Sequence, residues 1–295
     1  MAVVTTGFFD GVHLGHRAVI KALVSSARER GEEAIVVTFW PHPRTVLQQD
    51  AREFRILTTL DEKKALLASL GVDRVEVIPF TRAFAAMTAR EYIALLRERY
   101  GATRLVMGYD NRIGSDRLTA AELSAPDIEV VGRCSWAEEA APEDASSAVS
   151  STRIRNALLE GRVEDAEAML GYRYSLCGAV VAGNRLGRTI GFPTANMQLY
   201  EPLKLIPGNG VYAVEAEVLG SKWQGMTNIG VRPTVGGSAR TVETHLLAFD
   251  EDIYGLPLRI TFLCKLRDEI RFPSLDALKE QLAKDRTARA WIAEK

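Results

Sequence analysis

The chain has 295 residues, enough for two domains, and its 37 Lys and Arg balance 38 Asp and Glu, so no net field draws it to nucleic acid or to an anionic membrane. Cys134, Cys177 and Cys264 are odd in number and far apart, which argues against a disulfide framework and fits a reducing cytoplasm. No basic segment followed by an apolar one opens the chain, and no apolar run approaches the ~18 residues of a membrane span. A soluble, cytoplasmic protein that handles small phosphorylated ligands is expected.

An apolar start leads into Thr6-Gly7-Phe8-Phe9-Asp10-Gly11-Val12-His13-Leu14-Gly15-His16-Arg17. A helix follows, with Val19, Ile20, Leu23, Val24 and Ala27 on one stripe and Gly31 where a left-handed cap falls. Strand, glycine-rich turn and helix, in that order, make a phosphate-binding arrangement. Free N–H groups and the positive end of the helix dipole face the turn, and glycine lets a pyrophosphate approach the backbone. His13 and His16 share a helix face, from which both imidazoles can donate to phosphoryl oxygens as negative charge builds. A His-x-x-His pair can also ligate zinc, but no Cys lies near it. The turn lacks both the Lys-[Ser/Thr] of a P-loop and the Gly-x-Gly-x-x-Gly of dinucleotide dehydrogenases. It resembles instead the ATP-binding signature of the HxGH nucleotidyltransferases, which implies attack on the α-phosphate of ATP with loss of pyrophosphate.

Residues 34–39 read as a buried strand, closed by Trp40-Pro41-His42-Pro43-Arg44, where two prolines stop pairing and helix alike. His42 therefore stands at a strand end, on the side where open parallel sheets keep their ligands. Thr59 with Glu62 and Thr88 with Glu91 read as capping boxes. The first opens a helix to Gly71 with Leu66, Leu67 and Leu70 inside; the second opens one to Gly101 on Tyr92, Leu95, Leu96 and Tyr100. Strands are expected at 75–78, 105–107 and 128–131. Strand and helix thus alternate as in a doubly wound parallel sheet, the α/β class. The polar loop from Gly108 to Gly114, with Asp110 and Asn111, suits a second substrate at the same sheet edge. Residues 137–148, rich in Glu, Ala and Ser, read as mobile. Ser150-Ser151-Thr152-Arg153-Ile154-Arg155 then opens helical turns to Leu170, and two arginines in a first helical turn oppose the dipole unless an anion is bound there.

At Gly171 the pattern changes. Period-two strands appear at 211–218, 242–249 and 258–266, the last alternating Leu258, Ile260, Phe262, Cys264 and Leu266 with mostly polar residues. Short strands with turn signals suggest a small closed β-barrel, and a helix from Ser274 with Leu275, Leu278 and Leu282 is expected to cover it. Gly183, Gly187 and Gly191, with Arg185 and Arg188 between them, form a flap whose N–H groups and guanidinium forks can wrap a polyphosphate. Thr194 and Asn196 offer a hydroxyl and an amide oxygen on one face, hard neutral ligands suited to Mg²⁺. Glu243 and His245 point the same way by period two and are expected to face inward, where Glu243 can act as a general base.

Taken together, the motifs resemble the bifunctional bacterial riboflavin kinase/FAD synthetases along nearly the full length. Gly11-Val12-His13-Leu14-Gly15-His16, Thr38-Phe39-Trp40-Pro41-His42-Pro43 and Ser151-Thr152-Arg153-Ile154-Arg155 match the adenylyltransferase half. Gly191-Phe192-Pro193-Thr194-Ala195-Asn196, Asn228-Ile229-Gly230-Val231-Arg232-Pro233-Thr234 and Glu243-Thr244-His245 match the kinase half. The resemblance implies a Rossmann-like FMN adenylyltransferase domain over 1–170 and a riboflavin kinase barrel over 171–295. It implies phosphorylation of riboflavin to FMN by ATP with Mg²⁺, then adenylylation of FMN to FAD.

By the same analogy Gly7, Phe9, Asp10, His13, Gly15, His16, Ser151, Thr152 and Arg155 hold ATP for adenylyl transfer, His13 and His16 catalytically. His42, Asp110 and Asn111 lie towards flavin. Gly183, Gly187, Arg188, Gly191, Thr194 and Asn196 hold the kinase ATP, Thr194 and Asn196 the metal, and Glu243 is the kinase base. Riboflavin, FMN, FAD and ATP are the expected partners, and nothing in the sequence fixes an oligomeric state. Phe8 stands where relatives commonly carry Asn, and Asn111 and Ile113 where their flavin loop is richer in phenylalanine. The chain opens directly on its first strand, where many relatives have a short leader. Two other readings fit parts of the chain: nucleotidyl transfer to another phosphorylated acceptor, and a flavin-binding sensor with vestigial catalysis.

Overall fold

The structure, a computed structural model, describes residues 1–47, 54–108, 111–123, 128–134, 149–183, 191–234, 237–270 and 272–288. The stretch 137–148, Asp110, Gly187 and Arg188 lie outside the described residues. The chain divides into two compact units, Met1–Ser151 and Thr152–Lys295.

The first unit runs β1 (Ala2–Thr6), α1 (Leu14–Arg30), β2 (Glu33–Trp40), α2 (Pro43–Leu47), α3 (Leu60–Ser69), β3 (Arg74–Pro79), α4 (Arg82–Ala85), α5 (Ala89–Tyr100), β4 (Ala102–Gly108) and β5 (Glu129–Cys134). The strands pair in parallel in the order β3-β2-β1-β4-β5. β1 is buried along its whole length, as an apolar strand covered on both faces must be. On one face Val19, Ile20, Leu23 and Ala27 of α1 pack with Leu67 of α3; on the other Tyr92, Ile93 and Leu96 of α5 fill the core. Each such fully buried side chain contributes about 1.5–3 kcal/mol relative to an exposed one. Both capping boxes form, and Gly31 and Gly101 cap α1 and α5 in the left-handed region at φ 63°. In strand order the chain turns back at β1, so the carboxyl end of β1 is a topological switch point.

The second unit contains the length of α6 (Ser151–Leu159) beyond Ser151, α7 (Val163–Leu170), β6 (Ser175–Val181), β7 (Ala195–Leu199), β8 (Gly210–Val218), β9 (Ser221–Thr234), β10 (Gly237–Leu246), β11 (Pro257–Arg267) and α8 (Leu275–Ala288). Six antiparallel strands close into a barrel in the order β10-β7-β6-β11-β8-β9. The partition falls ahead of the pattern change at Gly171 because α6 and α7 are bonded to barrel residues. Gly208 N–H donates to Leu158 O at 2.7 Å and Lys265 N–H to Glu164 Oε1 at 3.3 Å.

Three expectations change here. Val242, Thr244 and Leu246 are the buried positions of β10, so Glu243 and His245 share a face, but the one turned away from the barrel core. Thr244 can lie inside because its hydroxyl pairs with that of Thr227 at 2.8 Å. β10 also ends at Leu246, short of the expected 249, and begins earlier. Finally Leu275 is 49% exposed; α8 is fastened instead through Asp285, which takes a forked pair of bonds from Arg267 at 2.8–3.1 Å. β6 and β9 escape a period-two reading because Gly178 in the first and Gly225 and Thr227 in the second take buried positions where an apolar side chain would mark the alternation, and β7, though it alternates, is only five residues long.

Candidate active sites

Asp10 shapes the turn between β1 and α1. Its carboxylate accepts from Leu57 N at 2.9 and 3.1 Å, from Thr58 N at 3.2 Å and from Thr58 Oγ1 at 3.4 Å, while Gly11 N donates to Thr58 Oγ1 at 3.1 Å. Asp10 is thereby buried and tied to the segment before α3. Phe9, at φ 53°, lays its ring over Gly7, where a Cβ would come within 3.2 Å of it. Ser151 Oγ donates to the carbonyl of Asp10 at 3.0 Å. Thr152 and Arg155 stand on α6, which Ser151 opens.

His13 caps α1, its Nδ1 accepting from His16 N at 3.4 Å. An Nδ1 that accepts carries no proton, so neutral His13 has its hydrogen on Nε2 and can donate it outward. The two imidazoles stack, ring centres 3.6 Å apart at 18°. Gly15 makes room, since a Cβ there would lie 3.3 Å from the His13 ring. Burial first, then the neighbouring His13 and Lys63, hold His16 well below the usual histidine range. Its Nδ1 is enclosed and finds no hydrogen-bond partner among the described residues. A stacked pair at a helix N-terminus, its second ring held below the usual histidine range and backbone N–H groups beside it, suits a phosphate chain rather than a proton-transfer relay.

Of the residues expected towards flavin, His42 and Asn111 lie beside this turn. His42 meets the Phe8 ring edge-on at 4.0 Å and packs against Phe54 at 4.2 Å. Asn111 Nδ2 donates to Thr6 O at 2.9 Å, at the very end of β1. Sequence reasoning missed Thr58 and Lys63. Lys63 is fully buried, with Nζ 3.5 Å from the centre of the Phe8 ring and 3.4 Å from Thr38 Oγ1. The signal was present, because Lys63 lies at helical spacing with Leu67 and Leu70, both on the inner side of α3.

In the barrel, Asn196 of β7 and Asn228 of β9 stand directly opposite Glu243 of β10 in the strand register. Directly opposed residues share a face, so the three form one half-buried polar row. The Asn196 amide lies over Gly183, where a Cβ would fall 2.2 Å from its nitrogen, so any larger residue would displace that amide. Thr194, just before β7, lines a cavity of about 300 Å³ with Val180, Thr244, Ile253 and Tyr254. His245 Nδ1 donates to Pro193 O at 2.8 Å, clipping the Pro193-Thr194 segment to β10. Burial lowers the His245 pKa, partly offset by that bond. Gly191 sits at φ 81°. Asn228 and His245 carried no role in the sequence reading.

A glycine turn at the switch point of a parallel sheet is a nucleotide-binding device, and the barrel carries a second polar site of its own. The class so defined is a two-site, nucleotide-using enzyme. Comparison with known proteins agrees with it. Residues 1–153 match the family model of FAD synthetase and residues 170–292 that of riboflavin kinase. The bifunctional riboflavin kinase/FMN adenylyltransferase of Escherichia coli strain K12 is 40% identical over 98% of this chain and 92% of its own. That of Bacillus subtilis strain 168 is 34% identical over 97% and 90%. A crystal structure described as a macrolide-efflux protein from Streptococcus pneumoniae aligns with a TM-score of 0.87 at 33% identity, covering 97% of this chain and 92% of that one. Among the described residues no helix is long and apolar enough to cross a membrane. The chain belongs to the family of bifunctional riboflavin kinases/FMN adenylyltransferases.

Proposed function

We propose that the chain makes both flavin cofactors in the cytoplasm: its second unit phosphorylates riboflavin to FMN, and its first adenylylates FMN to FAD. The observation that carries this is that each family model falls on its own compact unit, and each unit has its own polar site. The cytoplasmic setting is supported by the odd, scattered cysteines.

For adenylyl transfer, an FMN phosphate oxygen attacks the α-phosphorus of ATP, forming one P–O bond as that to pyrophosphate breaks. Nε2–H of His13, the neutral ring of His16 and the turn N–H groups bear the charge that develops, with Gly7, Phe9, Asp10 and Gly15 holding the turn. Ser151, Thr152 and Arg155 complete the ATP set, and His42, Asp110 and Asn111 lie towards flavin. Such a transfer needs positioning and charge stabilisation, with little covalent help from the protein.

For the kinase step, the ribityl 5′-hydroxyl attacks the γ-phosphorus of ATP, forming one P–O bond as that to ADP breaks, and Glu243 takes the hydroxyl proton. Thr194 and Asn196 would hold Mg²⁺, and they fit it: both are neutral oxygen ligands, and the missing side chain of Gly183 leaves room for the Asn196 amide. The ion supplies charge neutralisation on the phosphates. Gly183, Gly187, Arg188 and Gly191 belong to the ATP flap.

One assay tests the whole reading. The full chain with riboflavin, ATP and Mg²⁺, followed by chromatography, should accumulate FMN and then FAD. FMN without FAD would sink the two-reaction reading, as would FAD made from FMN with no FMN made from riboflavin.

A further inference from the structure

Lys63 is 0% exposed, yet among the described residues no carboxylate lies within ion-pair distance of it. Its one hydrogen bond is long, 3.4 Å to Thr38 Oγ1, and the proton of that hydroxyl is committed to Phe8 O at 3.2 Å. The remaining contact is the face of the Phe8 ring, 3.5 Å away. A cation over an aromatic face gains about 0.5–2 kcal/mol, well short of what it costs to desolvate an ammonium. Asp10, the nearest acid to act on it, has its oxygens taken by Leu57 and Thr58. Lys63 is thus a buried charge with incomplete compensation, set directly beneath the turn that carries the stacked histidines.

We propose that Lys63 is a positioning residue of the adenylyl-transfer site: its ammonium completes its charge pairing only when a triphosphate occupies the turn above Phe8. The proposal rests on the adenylyl-transfer reading of the first unit. The titratable groups coupled to Lys63 are Asp10 and His16 of the β1–α1 segment; β2 contributes the neutral Thr38. Burial brings Lys63 down to about 8, against the pull of Asp10, so the free enzyme loses this charge just above neutral pH. Lys63 in turn lowers His16. A bound triphosphate raises Lys63 again, because an anion nearby favours the protonated form.

The test uses the full chain, measuring pyrophosphate release from FMN and MgATP across the pH range around 8. For the unaltered enzyme, kcat/KM for ATP should fall as pH rises through about 8, while kcat at saturating ATP holds to higher pH. K63M should raise KM for ATP about tenfold or more at neutral pH, flatten that alkaline limb, and move the His16 protonation midpoint upward in a histidine NMR titration. K63R, which keeps the charge at all accessible pH, should restore KM and lack the limb. Denaturant unfolding of the first unit reports on folding, and riboflavin phosphorylation, which belongs to the second unit, should not change.

Unaltered ATP kinetics in folded K63M would overturn the role of Lys63 alone. If K63M does not fold, the unaltered enzyme still decides: no limb near pH 8 overturns the proposal. Failure to release pyrophosphate at any pH overturns the adenylyl-transfer reading itself, and Lys63 with it.

Discussion

The turn after β1 keeps its shape through a carboxylate that faces backbone rather than ligand. Three N–H and O–H donors from Leu57 and Thr58 converge on Asp10, so Asp10→Asn would set an amide donor against donors. A loss of about 2–3 kcal/mol is expected, seen as a lower unfolding midpoint for the first unit and a fall in adenylyl transfer, with riboflavin phosphorylation kept. Lys63 works in the opposite sense. Its pKa is about 8 in the fold and 10.5 as a free side chain, so the folded state releases its proton first. Stability therefore rises as pH climbs from 8 to 10.5, and below 8 the full penalty, about 3 kcal/mol, is present. Less the lost ring contact, Lys63→Met should be about 1–3 kcal/mol more stable than the unaltered protein at neutral pH. Denaturant unfolding of the pair at neutral pH and above 10.5 checks this, since the gap should close at the alkaline end. His16 adds an acid limb: held below its ordinary range in the fold, it erodes stability as pH falls and the unfolded chain takes up a proton there.

Among the elements, α8 shows how a terminal helix can be held by charge rather than by its leucines. Asp285 is 4% exposed and receives Arg267 and also Gln281 Nε2 at 2.8 Å. Arg267→Ala leaves that carboxylate buried and largely uncompensated, a cost of about 3–5 kcal/mol unless the helix lifts away. The expected outcome is rapid deuterium exchange over residues 275–288 while β8 and β11 stay protected. Unchanged exchange in α8 would mean its apolar contacts suffice. α1 illustrates the reverse case, where the local sequence is enough: the apolar stripe and the left-handed Gly31 stand where the pattern puts them.

At the scale of the whole molecule, two cores and two polar sites on one chain predict separable chemistry. Glu243→Ala should abolish FMN formation and leave conversion of FMN to FAD within about twofold, since the row containing Glu243 lies wholly in the barrel. Chromatography of flavins from each half-reaction measures this. Loss of both reactions in a folded variant would show that the sites are not independent. Sheet order and barrel closure were legible only as classes. Alternation of strand and helix implies a parallel sheet, but the order β3-β2-β1-β4-β5 is set by which strands meet, and three barrel strands were hidden, β6 and β9 by glycines at buried positions and β7 by its shortness.

Local chemistry is written in adjacent residues, so the chain by itself determined the glycine-containing turn between β1 and α1, both capping boxes, the helix stops and the shared face of Glu243 and His245. Those features depend on periods and caps a few residues long. Only the tertiary structure decided which face of β10 is buried, that α6 and α7 pack with the barrel residues, and that a lysine lies beneath Phe8. Each of these is settled by partners remote in sequence: Thr227 against Thr244, Leu158 against Gly208, Phe8 against Lys63. A one-residue pattern cannot record a neighbour that chain folding brings to it, and burial of charge is the clearest instance, because its energy is fixed entirely by what surrounds it.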